Sequence, residues 1–253
     1  MSEKNREGKR SARERLREQR EKERLRARRR RTMGVAGAVV AVLGVAAGVG
    51  MVASKSGEDS SGKSGSRAVA PRGAAGTVIT SGKAGAKKTL TVYEDFRCPG
   101  CKQFEDVFRT TVHRLQDKGR MKVRYHLVTI IDGNMGGTGS LHAANAAACA
   151  QDAGKFRAYH DVLYKNQPPE TEDAYANKSK LIKLAGKVPG LDTRTFRRCV
   201  EDGRHDGWVR KSNAAFTRSG YNSTPTILLD GKAVYGDPDK PLSPRKLKRM
   251  VTK

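Results

Sequence analysis

The tetrapeptide Cys98-Pro99-Gly100-Cys101 constrains this chain more than any other feature of its sequence. It follows an apolar, strand-like run at residues 89–93 and opens a segment whose apolar residues recur at helical spacing. The first sulfur is therefore expected at a helix N-terminus, where unpaired N–H groups and the helix dipole favour negative charge. Because the thiolate is the species that attacks disulfides, the motif predicts dithiol–disulfide exchange.

The two cysteines have different predicted roles. Cys98, at the start of the helix, is the candidate attacking sulfur, and Cys101, one turn further in, would resolve a mixed disulfide. Pro99 suits the first helical position because it lacks an N–H group. Gly100 is expected to leave room for an approaching partner chain.

The charge of the chain, +25 in total, is unevenly spread. Residues 1–32 contain 15 Lys and Arg against 6 Asp and Glu, whereas the 21 residues 33–53 carry no charge. A helix of that length spans about 31 Å, the thickness of a bilayer's hydrocarbon core. Because the basic flank is N-terminal, we predict a transmembrane signal-anchor at 33–53, with 1–32 in the cytoplasm and the remainder exported. A cleaved signal peptide is the alternative.

The basic leader at residues 1–32 favours a lipid surface over nucleic acid as a partner. No aromatic residue interrupts the charges to stack on bases, and an apolar span follows at once. The leader is therefore interpreted as a topology signal that is attracted to anionic lipid, and nucleic-acid binding is not expected.

Residues 54–86 are rich in Ser, Gly, Lys and Ala and are predicted to be a flexible linker, with a short strand at 77–80 near its end. The folded domain is predicted at 87–253, with a helical block at about 140–219 and Ser140 as the cap of its first helix. A buried stripe is predicted on the helix that follows the motif, formed by Phe104, Val107, Phe108, Val112 and Leu115. Strands are predicted at 88–95, 121–131, 226–229 and 232–235, and helices at 99–118, 141–153, 154–166, 174–188, 193–201 and 205–218, with a last helix from 243.

Four cysteines are present, and three interpretations compete: a redox pair with a separate structural bond, a four-cysteine zinc site, or structural bonds only. Zinc ligands usually come as paired knuckles, whereas Cys149 and Cys199 stand alone, so no metal is expected. Both lie on apolar helical faces. On the oxidising side of a membrane a disulfide between them is favoured, and two buried free thiols are the alternative.

Residues 93–105 read Tyr-Glu-Asp-Phe-Arg-Cys-Pro-Gly-Cys-Lys-Gln-Phe-Glu, which resembles the active-site segment of membrane-anchored bacterial DsbA-like thiol:disulfide oxidoreductases. The resemblance implies an α/β thioredoxin-like fold interrupted by a helical domain, which agrees with the predicted order of elements. It also implies a cis-proline facing the active-site sulfurs. Ser223-Thr224-Pro225-Thr226 is similar to that segment, so Pro225 takes this role and Thr224 lines the substrate groove.

The resemblance implies an enzyme without a cofactor that passes a disulfide to exported, cysteine-containing proteins and is reoxidised by a membrane quinone-linked partner. Asp95 is the candidate proton relay to Cys101. The best-known oxidases of the family have His where this chain has Gly100, so a reductase or an isomerase of the same fold remains open. The alternative from another class is a non-catalytic peptide-binding module with structural disulfides.

Overall fold

The part of the chain that the computed structural model describes, residues 68–252, contains one five-stranded sheet and eight α-helices. The strands are β1 (Ile79–Ser81), β2 (Lys88–Glu94), β3 (Met121–Leu127), β4 (Thr226–Leu229) and β5 (Lys232–Ala233). The helices are α1 (Pro99–Asp117), α2 (Ile130–Met135), α3 (Gly139–Asp152), α4 (Phe156–Lys165), α5 (Lys178–Ala185), α6 (Arg194–Glu201), α7 (Asp206–Arg218) and α8 (Pro244–Thr252), with a 3₁₀ turn at Ala174–Ala176 between α4 and α5.

The sheet has the order β1-β3-β2-β4-β5. β2 and β3 are parallel and are connected through α1, whereas the other neighbours are antiparallel. The β4–β5 hairpin turns at Asp230 and Gly231, which both have positive φ angles of 50° and 82°. A turn with two left-handed residues matches the twist of its flanking strands, so the strands predicted at 226–229 and 232–235 pair as a hairpin, and the second of them ends earlier, at Ala233.

The helical insertion lies between β3 and β4 and is built around α3. Six alanines of α3 are completely buried, because α4, α5, α6 and α7 all pack against this helix. Small side chains allow these helices to approach closely, so α3 forms the centre of the insertion. The α1 helix of the sheet domain packs against α4 on one side and α8 on the other.

The structure corrects the predicted boundary of the second strand. β3 ends at Leu127, and the residues up to 131 turn into α2, because the Asp95 carboxylate accepts a hydrogen bond from Ile131 N at 2.9 Å. The predicted cap at Ser140 is also wrong. α3 begins at Gly139, and the Asp132 carboxylate accepts hydrogen bonds from the N–H groups of Ser140 and Leu141 instead.

Two other predictions about elements are corrected. Val107, assigned to the buried stripe of α1, is 51% exposed, because the stripe is narrower than the periodicity implied. The predicted helix at 174–188 divides into the 3₁₀ turn and α5, where the Asn177 side chain accepts a hydrogen bond from Ser179 N and caps α5.

The residues before β1 also differ from the prediction of a linker that extends to residue 86. Trp208 Nε1 donates to the Gly76 carbonyl at 2.7 Å, a His205 ring nitrogen lies 2.8 Å from the Val69 carbonyl, and β1 pairs with β3. Residues 69–81 therefore belong to the folded domain, because aromatic and histidine side chains of the insertion bind their backbone.

Among residues 68–252, no helix is long and apolar enough to cross a membrane. The predicted leader at 1–32 and the predicted anchor at 33–53 lie outside the described residues.

Candidate active site

Cys98 and Cys101 lie where β2 leads into α1. The chain turns after Glu94, Cys98 N donates to the Asp95 carbonyl at 3.0 Å, and Pro99 is the first residue of the helix. Cys98 is the N-cap residue, so its side chain lies beside the unpaired N–H groups of the first helical turn. Both cysteines are free thiols, and Cys101 is the more deeply buried.

The two thiols differ sharply in acidity. A hydrogen bond with the Cys101 side chain, together with Thr224 and the N–H groups of the first turn, lowers the pKa of Cys98 to about 6, although burial opposes this. Burial raises the pKa of Cys101 well above its ordinary value. Cys98 is therefore the thiolate near neutral pH and Cys101 the thiol, as the roles predicted for them require.

A cis peptide bond joins Thr224 and Pro225, as the resemblance predicted. It directly precedes β4, whose Thr226 pairs with Tyr93 at the end of β2, and this register places it beside the cysteines. The Cys98 thiol lies 3.2 Å from the Thr224 carbonyl and donates to it. Pro225 and the Thr224 carbonyl are thus the groups that a peptide bound across Cys98 would meet.

Gly100 was expected to leave room for an approaching partner chain, but in the structure it lies against Pro225 of its own chain. A Cβ at this position would lie 3.1 Å from Pro225 Cδ, which is tighter than ordinary van der Waals contact. The same Cβ would lie 3.7 Å from Cys98 Sγ. Glycine thus lets the first turn of α1 approach the Pro225 loop of its own chain.

Asp95, the predicted proton relay, is completely buried. Its two carboxylate oxygens accept hydrogen bonds from Arg97 N and Ile131 N at 2.8 and 2.9 Å. Burial nevertheless raises the pKa of this carboxyl group to about 7. Asp95 joins the active-site turn to α2 and is able to exchange a proton near neutral pH.

A second set of buried charges was missed by the sequence analysis. His160 of α4 lies 2.9 Å from the Glu94 carboxylate, and Glu105 of α1 belongs to the same cluster. Burial alone would lower the pKa of His160, but the two carboxylates raise it. Burial raises the pKa of Glu105 to about 7. Three residues so far apart in sequence gave no local signal, because only the packing of α4 on α1 brings them together.

Two groups of side chains have metal-ligand chemistry, but both are engaged otherwise. The ligand atoms of Glu94, Glu105 and His160 lie within 4.8 Å of one another, yet Glu94 and His160 already bind each other. Cys149 and Cys199 lie near His205, but their sulfurs form the predicted disulfide, which joins α3 to α6. This bond is separate from the Cys98–Cys101 pair and ties together two helices of the insertion.

The comparisons with known proteins agree with this architecture. The family model described as Thioredoxin matches residues 74–253. The disulfide bond formation protein D of Bacillus subtilis is 27% identical over 156 residues, which cover 60% of this chain and 68% of that protein.

Two solved structures from Mycobacterium tuberculosis share the fold. Reduced DsbA is 24% identical with a TM-score of 0.60, over 70% of this chain and 91% of that chain. The reduced disulfide bond oxidoreductase DsbG is 27% identical with a TM-score of 0.58, over 70% of this chain and 85% of that chain. The described residues thus combine a thioredoxin-like sheet and a helical insertion with a helix-terminal dithiol that faces a cis-proline. Together with the matching family model and relatives, this shows that the chain belongs to the thioredoxin family as a DsbA-like thiol:disulfide oxidoreductase.

Proposed function

We propose that this protein oxidises dithiols of exported proteins through its Cys98–Cys101 disulfide. The observation that carries the proposal is the contrast between the two thiols, one with a lowered and one with a raised pKa. A stabilised Cys98 thiolate favours the reduced form of the enzyme, and an enzyme whose reduced form is stabilised gives its disulfide away readily. The direction of electron flow, which Gly100 left open, is therefore assigned as oxidation of the substrate.

The reaction begins with the oxidised pair. A substrate thiolate attacks Cys98 Sγ, the Cys98–Cys101 bond breaks, and the Cys101 sulfur leaves and takes up a proton. Asp95 is our candidate for the residue that relays this proton, since its pKa is near neutrality. The second substrate thiolate then attacks the substrate sulfur of the mixed disulfide. Cys98 leaves as the stabilised thiolate, and the substrate holds a disulfide.

Thr224 and Pro225 hold the substrate in this proposal. The Thr224 carbonyl lies 3.2 Å from Cys98 Sγ and accepts only from the protonated thiol, so it is free to accept from a substrate N–H group when Cys98 is a thiolate or is oxidised. The Cys149–Cys199 disulfide takes no part in the exchange and stabilises the insertion.

The proposed location is the outer face of a cell membrane. It is supported by the basic leader and the uncharged span at 33–53 in the sequence. Reoxidation by a membrane quinone-linked partner and attraction of residues 1–32 to anionic lipid belong to the same proposal. Protease added to intact cells should digest the domain, and a domain that stays protected until the cells are lysed would contradict this location.

Cysteine variants test the exchange activity. We expect Cys98→Ala to abolish oxidation of a reduced dithiol peptide while the melting temperature changes little, because Cys98 is the sulfur attacked. Cys101→Ser has no disulfide to give and should also fail to oxidise the reduced peptide. Given a disulfide-linked dimer of a single-cysteine peptide instead, its Cys98 thiolate should attack the dimer, release one peptide thiolate and remain in a mixed disulfide, because no Cys101 thiol is present to displace it. A large loss of thermal stability in Cys98→Ala, with no oxidase activity in the wild type, would instead indicate a structural cysteine pair in a peptide-binding module.

The reduction potential of the pair tests the direction. A value of about −120 mV, as in a strong oxidant, supports the proposal. A value of about −270 mV, as in thioredoxin, would indicate a reductase.

A further inference from the structure

The loop between α4 and the 3₁₀ turn, residues 166–173, binds the backbone of Phe96 and of Cys98 itself. Gln167 Nε2 donates to the Phe96 carbonyl at 2.9 Å and to the Cys98 carbonyl at 3.0 Å. A single side-chain amide of the helical insertion thus binds the backbone of the nucleophile's own residue.

The position of Gln167 is fixed by its neighbours. Two prolines follow it, and the first of them, Pro168, is buried. A residue before proline is restricted to extended conformations, and Gln167 N also donates to the Tyr164 carbonyl at the end of α4. The backbone of Gln167 is therefore held in place, so only its side-chain torsions remain to be fixed when the amide binds the two carbonyls.

Arg97 attaches the same loop to the active-site turn a second time. Its side chain is almost completely buried, and the guanidinium group donates to the Glu170 carbonyl at 3.2 Å and lies 3.0 Å from the Asp173 carboxylate. It also pairs with Asp132 at 2.7 Å. The residues directly before and at Cys98 are thus bound to the insertion by independent contacts, and α1 cannot shift at its N-terminus without breaking them.

The Cys98 carbonyl is the point where this attachment meets the thiol. It also accepts the first hydrogen bonds of α1, from Cys101 N at 3.1 Å and Lys102 N at 3.2 Å. The Cys98 carbonyl therefore anchors the first turn of α1, whose N–H groups lie beside the Cys98 side chain and favour its charged form. A hydrogen bond weakens steeply when its donor is misaligned.

We propose that Gln167 is a positioning residue that orients the first turn of α1 around Cys98 Sγ, so that the helical insertion controls the reactivity of the nucleophile. The inference rests on the proposed function and extends it, because it names the residue through which the insertion contributes to the exchange reaction. Gln167 touches no sulfur itself and acts through the Cys98 peptide group.

Substitutions of different donor capacity at residue 167 test the proposal on the full reduced protein. Gln167→Met keeps the size of the side chain and removes the donor. We expect it to raise the pKa of Cys98 by about one, as for the loss of about one aligned hydrogen bond to a thiolate. Gln167→Glu presents a carboxylate to two carbonyl oxygens and should raise the pKa further. Gln167→Lys keeps a donor within reach and should leave the pKa at or below the wild-type value.

The readout is the ultraviolet absorbance of the thiolate as a function of pH, together with the pH dependence of Cys98 alkylation. Gln151→Ala is the matched control, because Gln151 Nε2 also donates to a backbone carbonyl, that of Arg72 at 2.9 Å, at the other end of α3. We expect this control to leave the pKa of Cys98 unchanged.

A raised pKa of Cys98 in Gln167→Met, which adds no charge, is what a merely structural glutamine would not produce; the Glu and Lys variants act through their charges as well. If the residue-167 variants fold and all keep the wild-type pKa of Cys98, the proposal is wrong, whatever their melting temperatures. The pKa is measured without a substrate, so this failure is distinct from a wild-type protein that lacks oxidase activity.

Discussion

At the scale of single residues, charge is concentrated where the sheet domain meets the insertion. Glu94, Glu105 and His160 are nearly or fully buried within a few ångströms of one another. A buried ion cluster adds little net stability while it is complete, but removal of one member leaves charges without a partner. The imidazolium of His160 is bonded to Glu94, whereas Glu105 also lies 3.7 Å from the Arg109 guanidinium.

His160→Leu should therefore lower the free energy of unfolding at neutral pH by about 3 kcal/mol or more, because the buried Glu94 carboxylate loses the cation bonded to it. The raised pKa of His160 stabilises the fold fully below the ordinary His value of about 6.5, and this contribution is lost as the pH rises toward about 10, so the loss in the variant should shrink at alkaline pH. Urea unfolding at two pH values measures both effects. His126→Leu is the control, because His126 is half-buried and stacked on Tyr93, and burial lowers its pKa to about 4. Equal, pH-independent losses in the two variants would contradict the prediction.

At the scale of elements, the insertion is held together by α3 and by the disulfide from α3 to α6. The apolar helical faces and the predicted export favoured this bond over two free thiols, and the strands on either side of Asp230 and Gly231 were predicted from the sequence. The end of β3 was not predictable, because residues 128–131 are as apolar as a strand and only the distant Asp95 carboxylate turns them into α2. The composition of residues 69–81 likewise gave no sign that Trp208 and His205 would bind their backbone.

Replacement of Cys149 and Cys199 by alanine should lower the free energy of unfolding by about 4 kcal/mol, the loop-closure value for a sequence separation of 50 residues. Urea unfolding under non-reducing conditions measures this loss. The double variant Cys98→Ala with Cys101→Ala is the control, since the loop closed by that pair is very short and its loss should be much smaller. A larger loss in the control would mean that the active-site pair, not the α3–α6 bond, is the structural one.

At the scale of the whole molecule, the acidity of one thiol couples redox state to stability. The folded reduced protein releases the Cys98 proton above about pH 6, whereas the unfolded chain keeps it to about pH 9. The unfolded state thus holds more protons in this window, and the stability of the reduced form rises with pH. Asp95 and Glu105 titrate in both redox forms, so their contributions to the unfolding free energy largely cancel when the reduced and oxidised forms are compared.

We therefore expect the difference in unfolding free energy, reduced minus oxidised, to grow between pH 6 and pH 9. The growth should be roughly 2 to 4 kcal/mol, since solvent near the sulfur screens part of the effect. Below pH 6 the contribution is lost. Parallel urea titrations of the two forms at several pH values provide the measurement, and a difference that stays constant with pH would exclude a stabilised Cys98 thiolate.

The length of α3 separates the point where the polypeptide enters the domain from the active-site turn. Its N-terminal end is bound by Asp132, which pairs with Arg97 next to Cys98, and its C-terminal end carries Asp152, which accepts from Arg72 N at 2.7 Å. Its 14 residues span about 21 Å. Polypeptide joined to residue 68 thus enters the domain near the C-terminal end of α3, whereas Cys98 lies next to the residue bound at the N-terminal end. A tether attached at this end of α3, whether to a bilayer or to a sensor chip, would leave the cysteines accessible to large unfolded proteins.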